Sequence, residues 1–596
     1  MALFRPEIFP EEHLPDAEEL LAQGRGSASD YPVGSSPFLK SHNVDCEAAF
    51  KRKCAQSARL MHHAQMGYRD FDKSCRAYAE IYDACLAQDV SVDRYGLCLD
   101  WSMGYPVDQR HDRPKGTGLL LNGIEDFIKL THCAPVAPHF GDFVLGMPAA
   151  FENTKAALAA GSTAIGNLGQ YFTFRLPHWD DDVATTSATL QALGLIAAQD
   201  VEILVHSNLD DGFAALFCDL SCCLGAVLLE KYIVNDLIGA QVSHCYGHHF
   251  SDPVRRMAFH LALSRVSSGP GTMIYGNTTQ YRGTEQENYA SLEAYLKVDI
   301  AGQRLAPSGH AINPVPVSEN YRIPDIDEII TAQLFAARLE EQSLDVKNIV
   351  DMEMAERLAN EMIFGGMNFQ HNVLNGLNAA GIDIRNPFEM LLALKRIGGK
   401  KLEHLFGPGP LNDAAPRGRT PLIPSTIIDE ISELAHHHLN LVDCKHKRRI
   451  RERNLKVITA TTDVHEHGKL LLDMTLTKLG VTVLDGGVST DANVLVEQAL
   501  LQGADVIAIS TYNGIALSFA KALEAEMKKL DTPLPVIFGG RLNQIPDTSN
   551  TSLPVDVTQD IRSTGALVCP TLEDAIPLLA NITITRKTAH DKGSIQ

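Results

Sequence analysis

Five short apolar segments alternate with helical patterns near the carboxyl terminus, and this rhythm constrains the fold more than any other feature of the chain. The segments lie at 455–460, 481–485, 505–510, 534–538 and 565–569. Strands that alternate with helices pair in parallel, and helices then cover both faces of the sheet. The sequence therefore predicts an open, doubly wound, flavodoxin-like α/β domain at 451–596.

Three short motifs follow the strands of this predicted domain. The run 463–468 (Asp-Val-His-Glu-His-Gly) follows the first strand, Ser510-Thr511-Tyr512 ends the third, and Gly539-Gly540 ends the fourth. Ligands of open parallel sheets bind outside the carboxyl ends of the strands, where the strand order reverses. The three motifs therefore predict one ligand site at that edge of the sheet.

In order and spacing, the motifs resemble the D-x-H-x-x-G, S-x-L and G-G blocks of proteins that bind cobalamin with a histidine in place of the cofactor's own lower base. Tyr512 stands where this family usually has leucine. The resemblance implies that His465 is the ligand of the cobalt ion and that the remaining motif residues surround the cofactor.

Each of these residue types suits that role. A neutral imidazole is a good ligand for cobalt, and a carboxylate on the other ring nitrogen fixes its tautomer, which is the role predicted for Asp463 beside His465. Glycine lets the backbone approach a bulky nucleotide tail, and the Ser510 hydroxyl can bond the displaced base. The predicted cofactor-binding residues are Asp463, His465, Gly468, Ser510, Tyr512, Gly539 and Gly540.

Composition limits the remaining possibilities. The chain has 596 residues, more than one core accommodates, so two or three domains are expected. A formal net charge of −21 argues against nucleic-acid binding, and the basic run 445–451 is interpreted as a solvated linker or as a contact between domains to an acidic surface. The 12 cysteines form no C-x-x-C pair, which predicts neither disulfides nor structural zinc and fits a reducing cytoplasm.

The positions and lengths of the apolar segments also lead us to expect a cytoplasmic protein without membrane contacts. The first residues lack the apolar stretch of a signal peptide. The most apolar region, 213–234, is interrupted by Asp219 and favours a buried helix over a membrane span.

Four segments are predicted along the chain. They are a helical arm at 1–90, a TIM-barrel-like catalytic domain at 91–335, a helical segment with a Pro/Gly-rich linker at 336–450, and the domain at 451–596. Strand-helix repeats favour the barrel. Its predicted strands lie at 133–141, 162–170, 201–206, 240–247, 271–277, 295–300 and 305–317.

Polar side chains cluster at the ends of these predicted strands, where a barrel has its active-site face. They predict a polar pocket for a small-molecule substrate. The candidate catalytic residues are His139, Gln170, His206, His244, Tyr246, Asn277 and His310.

Four stretches of this region resemble the catalytic subunit of glutamate mutase (methylaspartate mutase), an adenosylcobalamin-dependent carbon-skeleton mutase. They are Leu119-Leu120-Leu121-Asn122-Gly123, Tyr246-Gly247-His248-His249, the loop 310–320 and the block 375–409. The resemblance implies an isomerase that uses adenosylcobalamin for a radical 1,2-rearrangement, with barrel and cobalamin domain fused in one chain. We expect it to form a homodimer.

The substrate and the reaction class stay open at this point. The family's strand-end arginine is missing from Ala137-Pro138-His139-Phe140-Gly141, which disfavours glutamate and favours a less acidic small acid or an amino-acid-like compound. The alternatives are a methylcobalamin-dependent methyltransferase, which shares the histidine motif, a non-enzymatic cobalamin sensor, and a pyridoxal-phosphate aminomutase.

Overall fold

The chain folds into two compact units. The computed structural model describes residues 3–113, 115–209, 217–248, 250–319, 321–342, 350–413, 415, 417–462, 466–512, 514–545 and 554–583. The first unit comprises Met1–Thr173 and Asp181–Ile427, and the second comprises Phe174–Asp180 and Ile428–Gln596. Among the residues just given, no helix is both long enough and apolar enough to cross a bilayer.

The described residues of the first unit form eight strands and sixteen α-helices. The strands are β1 (His63–Met66), β2 (Arg94–Leu97), β3 (Ala137–Phe140), β4 (Ala164–Ile165), β5 (Leu204–Asn208), β6 (Gln241–Cys245), β7 (Met273–Ile274) and β8 (Ala311–Ile312). The helices are α1 (Arg5–Ile8), α2 (Ala17–Gly26), α3 (Pro37–His42), α4 (Glu47–Gln56), α5 (Phe71–Leu86), α6 (Ile124–Thr131), α7 (Ala150–Ala159), α8 (Gln170–Thr173), α9 (Asp182–Ala197), α10 (Leu220–Lys231), α11 (Pro253–Val266), α12 (Glu285–Leu305), α13 (Ile326–Gln342), α14 (Met352–Ala379), α15 (Pro387–Ile397) and α16 (Gly399–Phe406). A π-helical segment, Tyr232–Ile238, continues α10.

All strand pairs of the first unit are parallel. Strands β1 to β6 lie side by side in chain order, and β7 pairs with β8. Two single-residue parallel bridges connect these sheets: Tyr246 pairs with Ile274 beside β6 and β7, and His62 pairs with Ile312 beside β1 and β8. Mixed α/β structure with parallel sheets is thus established, while a closed TIM-type barrel stays a prediction.

One strand prediction is wrong. Residues 295–300 belong to α12, which begins with a reciprocal cap between Thr284 and Glu287. Leu292, Tyr295, Leu296 and Ile300 share one buried apolar cluster, and their spacing is that of a helical stripe. Within the six residues 295–300, the part of this stripe that is visible resembles the apolar pattern of a strand.

Two strands were missed by the sequence pattern. Strand β1 lies in the segment 1–90, which was predicted to be a helical arm, and β2 follows after α5. Each has four residues, and such short runs lack a distinctive periodicity.

In the part of the second unit that the structure describes there are seven strands and seven helices, and the first helix begins at the boundary between the units. The strands are β9 (Lys456–Thr461), β10 (Thr482–Asp485), β11 (Val506–Thr511), β12 (Val536–Gly540), β13 (Asn543–Gln544), β14 (Val555–Asp556) and β15 (Leu567–Cys569). The helices are α17 (Thr426–Leu441), α18 (Cys444–Arg453), α19 (His467–Lys478), α20 (Ala492–Gln502), α21 (Ala516–Met527), α22 (Thr558–Ser563) and α23 (Leu572–Asn581).

The five predicted strands form a parallel sheet in the order β10-β9-β11-β12-β15. Both faces are covered: Ile507 and Ile509 of β11 pack in one apolar cluster with α20 and α21, whereas Val506 and Ala508 pack in another with α19 and α23. The prediction of an open, doubly wound sheet is confirmed. Its strand order reverses between β9 and β11, which is where such sheets bind ligands.

Candidate functional site

Ser510 lies at the centre of the switch point in the second unit. In the parallel register it stands beside Thr461 of β9 on one side and Gly539 of β12 on the other. The backbone N–H of Thr462 donates to the Ser510 carbonyl over 3.2 Å. Two of the three sequence motifs are therefore direct neighbours at the carboxyl edge of the sheet.

The third motif reaches the same place through Gly468, in the first turn of α19. A Cβ atom at residue 468 would overlap the Ser510 hydroxyl oxygen. Gly540 has φ +87°, and a Cβ atom there would lie 2.5 Å from the Thr511 carbonyl oxygen. Gly540 therefore requires glycine, and a methyl group at residue 468 would displace the Ser510 hydroxyl.

The predicted ligands themselves are only partly described. Gly468, Ser510, Tyr512, Gly539 and Gly540 lie together at this edge, whereas Asp463 and His465 lie outside the described residues. The Arg541 guanidinium lies 4.6 Å from the centre of the Tyr512 ring, so the residue that departs from the family pattern has a cation as its neighbour.

A buried lysine anchors the helix that follows the histidine motif. Lys469 Nζ lies 2.9 Å from both Asp473 Oδ2 and Asp485 Oδ1, and Thr459 Oγ1 donates to Asp473 over 2.5 Å. Burial lowers the pKa of Lys469, but the two carboxylates outweigh this effect and raise it. The first turn of α19 is thus fixed to β9 and β10 by charged hydrogen bonds.

In the first unit, two of the predicted histidines lie together. The rings of His139 on β3 and His206 on β5 are 4.3 Å apart, edge to face. His139 Nδ1 bonds the Ala164 carbonyl at 2.9 Å, and His206 Nδ1 bonds Thr272 Oγ1 at 2.9 Å. Burial lowers the pKa of both imidazoles well below the ordinary value, and the nearby charge of Arg94 lowers it further, so both are neutral.

His244 and Tyr246 do not join this pair. They face the helices that cover the sheet: His244 Nε2 bonds Glu230 Oε2 of α10 at 2.7 Å, and Tyr246 OH bonds His260 Nδ1 of α11 at 2.9 Å. Ser207 of β5 also bonds Glu230, so its side chain is on the same face as that of His244. Because side chains alternate between the two faces of a strand, His206 is on the opposite face. The prediction of one polar pocket formed by all these residues is not met.

His310 is also separated from the strand ends predicted to carry the pocket. It precedes β8, and therefore lies at the amino end of that strand. Its Nδ1 bonds Ser308 Oγ at 2.6 Å, and its Nε2 bonds the His244 carbonyl at 3.1 Å. These contacts connect the segment before β8 to β6.

Gln170 and Asn277 do lie beyond the carboxyl ends of strands β4 and β7. Gln170 Nε2 donates to Asp142 Oδ1 over 3.3 Å, and its Oε1 accepts from the backbone N–H of Phe143. Asn277, which is buried, accepts from Thr279 Oγ1 over 2.6 Å.

The carboxyl group of Asp142, which follows β3, has a shifted pKa at this edge of the sheet. Burial raises the pKa of its carboxyl to about 6, although a hydrogen bond from Asn167 opposes the shift. Burial also raises the pKa of the Cys98 thiol, and the carboxylates of Asp142 and Glu319 raise it further. A thiol and two carboxyl groups therefore share one electrostatic environment beyond β2, β3 and β8.

Further polar groups stand at the same ends of other strands. Tyr275, directly after β7, donates through its hydroxyl to Gln65 Oε1 of β1 over 2.9 Å. Asn313, directly after β8, is 1% exposed, and its Nδ2 has no hydrogen-bond partner among the described residues. These groups can orient a small polar molecule. Within the described part of the chain, no three side chains form a metal-binding group.

Comparison with known proteins does not assign the chain to a family. No family model matches it. No curated protein matches it either. A similar solved structure is that of a novel cobalamin-binding protein from Desulfitobacterium hafniense DCB-2, with 20% sequence identity and a TM-score of 0.18. The match covers 21% of this chain and 58% of that protein, and so low a TM-score establishes neither fold nor ligand.

Sequence reasoning missed Gln65, Cys98 and Asp142. The first two were overlooked because β1 and β2 were not predicted, and their strand-end positions were therefore not apparent. Asp142 could have been found from the sequence, because it directly follows the predicted strand end His139-Phe140-Gly141.

Proposed function

We propose that the second unit binds cobalamin, with His465 as the lower ligand of cobalt and Asp463 as the group that orients its imidazole. The observation that carries this proposal is the convergence of Gly468, Ser510 and Gly539 at the point where the strand order reverses. The parallel sheet brings the carboxyl ends of β9, β11 and β12 together, and the chain has glycine and serine at these ends in place of bulky side chains. Their shared location supports one large ligand at this edge.

The residues present fit such a ligand. Gly468 and Gly540 leave the backbone bare where a side chain would obstruct it, and Ser510 supplies a hydroxyl beside them. The Lys469 ion cluster holds α19, whose first turn follows the loop that carries His465. A helix that is anchored in this way keeps a constant position beside a ligand at the strand ends.

We further propose that the first unit is a TIM-type barrel. Six parallel strands in chain order, the β7–β8 pair and the bridges Tyr246–Ile274 and His62–Ile312 support an eight-stranded closed arrangement. In such barrels the active site lies at the carboxyl ends of the strands. Gln65, Cys98 and Asp142 are at or beyond those ends, which supports a substrate site there.

The reaction that we propose is an adenosylcobalamin-dependent radical 1,2-rearrangement of a small acid or amino-acid-like substrate. When bound, the cofactor supplies the radical chemistry. Asp142, when ionised, can accept a hydrogen bond from an ammonium or hydroxyl group of the substrate, while Gln170 holds its other oxygen. Gln65 and Tyr275 form a fixed polar pair that can orient a second group.

The methyltransferase alternative is less well supported by the helices that precede the cobalamin domain. Methyltransferases of this kind carry a separate helical cap before that domain. Here α14 packs against α10 and α11, and α15 packs against α8 and α9, all within the first unit. These helices pack within the first unit instead of forming a separate cap before the cobalamin domain, and this favours the mutase.

The test is the absorption spectrum of the purified full-length protein with adenosylcobalamin. We expect the base-off, histidine-on form, and we expect His465→Gly to abolish it, whereas the matched variant His446→Gly, at a half-buried position of α18, keeps it. An unchanged spectrum in His465→Gly would contradict the proposal. Electron paramagnetic resonance during incubation with candidate small acids and amines then distinguishes the mutase, which gives a coupled cobalt(II)-radical signal, from a methyltransferase or sensor, which does not.

A further inference from the structure

Two cysteine thiols of the first unit contact each other. Cys75 lies on α5, and Cys133 lies in the connection between α6 and β3. The two helices pack together, and the S–H of Cys75 donates a hydrogen bond to Cys133 Sγ. The S–H of Cys133 in turn donates to the Lys129 carbonyl over 3.3 Å. Two sulfur atoms that are distant in sequence are therefore neighbours in the fold.

Both thiols are within reach of a small reagent. Cys75 and Cys133 are half-buried at the edge of the main apolar cluster of the first unit, and the bond from Cys133 to Lys129 is exposed to solvent. Cys85 and Cys222, by contrast, are fully buried. A thiol that is accessible and has a second thiol beside it can undergo thiol–disulfide exchange, whereas a thiol enclosed in the core is inert.

The surroundings of the two thiols give them different roles. Burial raises the pKa of both, and Cys133 and Asp72 raise the pKa of Cys75 further, to about 12. The hydrogen bond from Cys75 lowers the pKa of Cys133 and partly offsets its burial. The Lys129 ammonium group also favours the thiolate form of Cys133. Cys133 is therefore the thiol that ionises first and attacks, and Cys75 is the thiol that completes the bond.

We propose that Cys75 and Cys133 form a reversible disulfide bond, with a small disulfide such as oxidised glutathione as the oxidant. The Cys133 thiolate attacks one sulfur of the small disulfide, which releases one small thiolate and leaves a mixed disulfide on Cys133. Cys75 then gives its proton to solvent and attacks the Cys133 sulfur, and the second small thiol leaves. The two protein thiols lose two electrons, and the small disulfide gains them. Under reducing conditions both cysteines remain thiols.

The bond requires only a local movement. A disulfide has an S–S length of about 2.0 Å, so two thiols in hydrogen-bonding contact need to approach each other slightly. The bond joins α5 to the segment after α6, and these helices lead into β2 and β3. It lies wholly in the first unit and does not depend on cobalamin.

The test is peptide mapping of the full-length protein after incubation with excess oxidised glutathione, with alkylation of the remaining thiols before digestion. Trypsin places the two cysteines on separate peptides, 74–76 and 130–155, each with one cysteine. We expect these peptides to be linked by a disulfide, and we expect them to separate when dithiothreitol is added before alkylation.

Cys444 serves as an internal control, because it is exposed and should form a mixed disulfide with glutathione under the same conditions. If Cys444 is modified while Cys75 and Cys133 are both recovered as alkylated thiols, the proposal is overturned. A mixed disulfide that persists on Cys133 of the wild-type protein also overturns it, because Cys75 then fails to complete the bond.

Variants test the two roles. Cys75→Ser should stop at the mixed disulfide on Cys133, whereas Cys133→Ser should leave Cys75 unmodified over the time in which the wild type is linked. Lys129→Gln should slow the linkage at constant pH, and Lys528→Gln, at an exposed ion pair of the second unit, should keep the wild-type rate. Equal modification of Cys75 and Cys133 in the two serine variants would contradict the assigned order of attack.

Discussion

Gly468 contacts Ser510 so closely that a side chain on residue 468 would overlap the Ser510 hydroxyl. This relationship joins the histidine motif after β9 to the end of β11. Two motifs separated in sequence therefore lie at one place.

Gly468→Ala is expected to weaken cobalamin binding about 10-fold or more, the lower end of the effect of disturbing groups that orient a metal ligand. The added methyl displaces Ser510 or α19, and with it the loop that carries His465. The dissociation constant from spectral titration measures the effect. Gly26→Ala, where a Cβ atom meets nothing within 4 Å, is the control. Equal affinity in both variants would show that the close packing is irrelevant to binding.

Asp142 is expected to control the acidic limb of the pH profile. Its pKa is raised to about 6, so the carboxylate that accepts a substrate N–H or O–H is lost as the pH falls through that value. We predict that kcat/KM rises up to about pH 6 and is level above it. Asp142→Asn should remove this limb and lower kcat/KM roughly 10- to 100-fold, the value of a hydrogen bond to a charged group. Asp72→Asn, at an exposed ion pair, should retain the wild-type profile.

The His244–Glu230 pair is expected to stabilise the fold. Glu230→Ala leaves His244 and Ser207 buried without their partner, which should lower the free energy of unfolding by about 3–5 kcal/mol. Urea denaturation measures the loss. Glu356→Ala removes the exposed pair with Arg265 and should cost less than about 1 kcal/mol. Similar midpoints for both variants would argue that the buried pair contributes nothing.

Glu403 is expected to make the first unit less stable as the pH rises. Burial raises the pKa of this carboxyl from 4.5 to about 7, although the backbone N–H groups of Cys218 and Asp219 oppose the shift. The folded state then holds a proton that the unfolded state has lost between these values, and stability falls by about 3 kcal/mol across that range. Glu403→Gln keeps an acceptor for the two N–H groups and should flatten the dependence. A slope identical to that of the wild type in urea denaturation from pH 4.5 to 7 would contradict this assignment.

The extent to which sequence predicted the structure differed between the two units. The five strands of the second unit were found because each is an apolar run bounded by turns, and helices of ordinary length separate them. In the first unit, β1 and β2 were missed and the stripe Leu292, Tyr295, Leu296 and Ile300 was mistaken for a strand. A run of four to six residues fits both periodicities, and only the capped helix around it decides between them.

The faces to which the candidate catalytic side chains point could not be predicted from the sequence either. His139, Gln170, His206 and Asn277 lie on or after strands, as do His244 and Tyr246, but a single residue of offset turns a side chain to the opposite face. His244 and Tyr246 thus contact helices, while His206 meets His139.

The sequence by itself determined the doubly wound second unit and the order of its three motifs, because strand-helix alternation and glycine positions are local properties. Only the tertiary structure decided which side chains meet. The contact of Gly468 with Ser510, the raised pKa of Asp142 and the contact between the rings of His139 and His206 all arise between residues far apart in the chain. Burial and proximity across strands determine these properties, and neither is encoded in a local pattern.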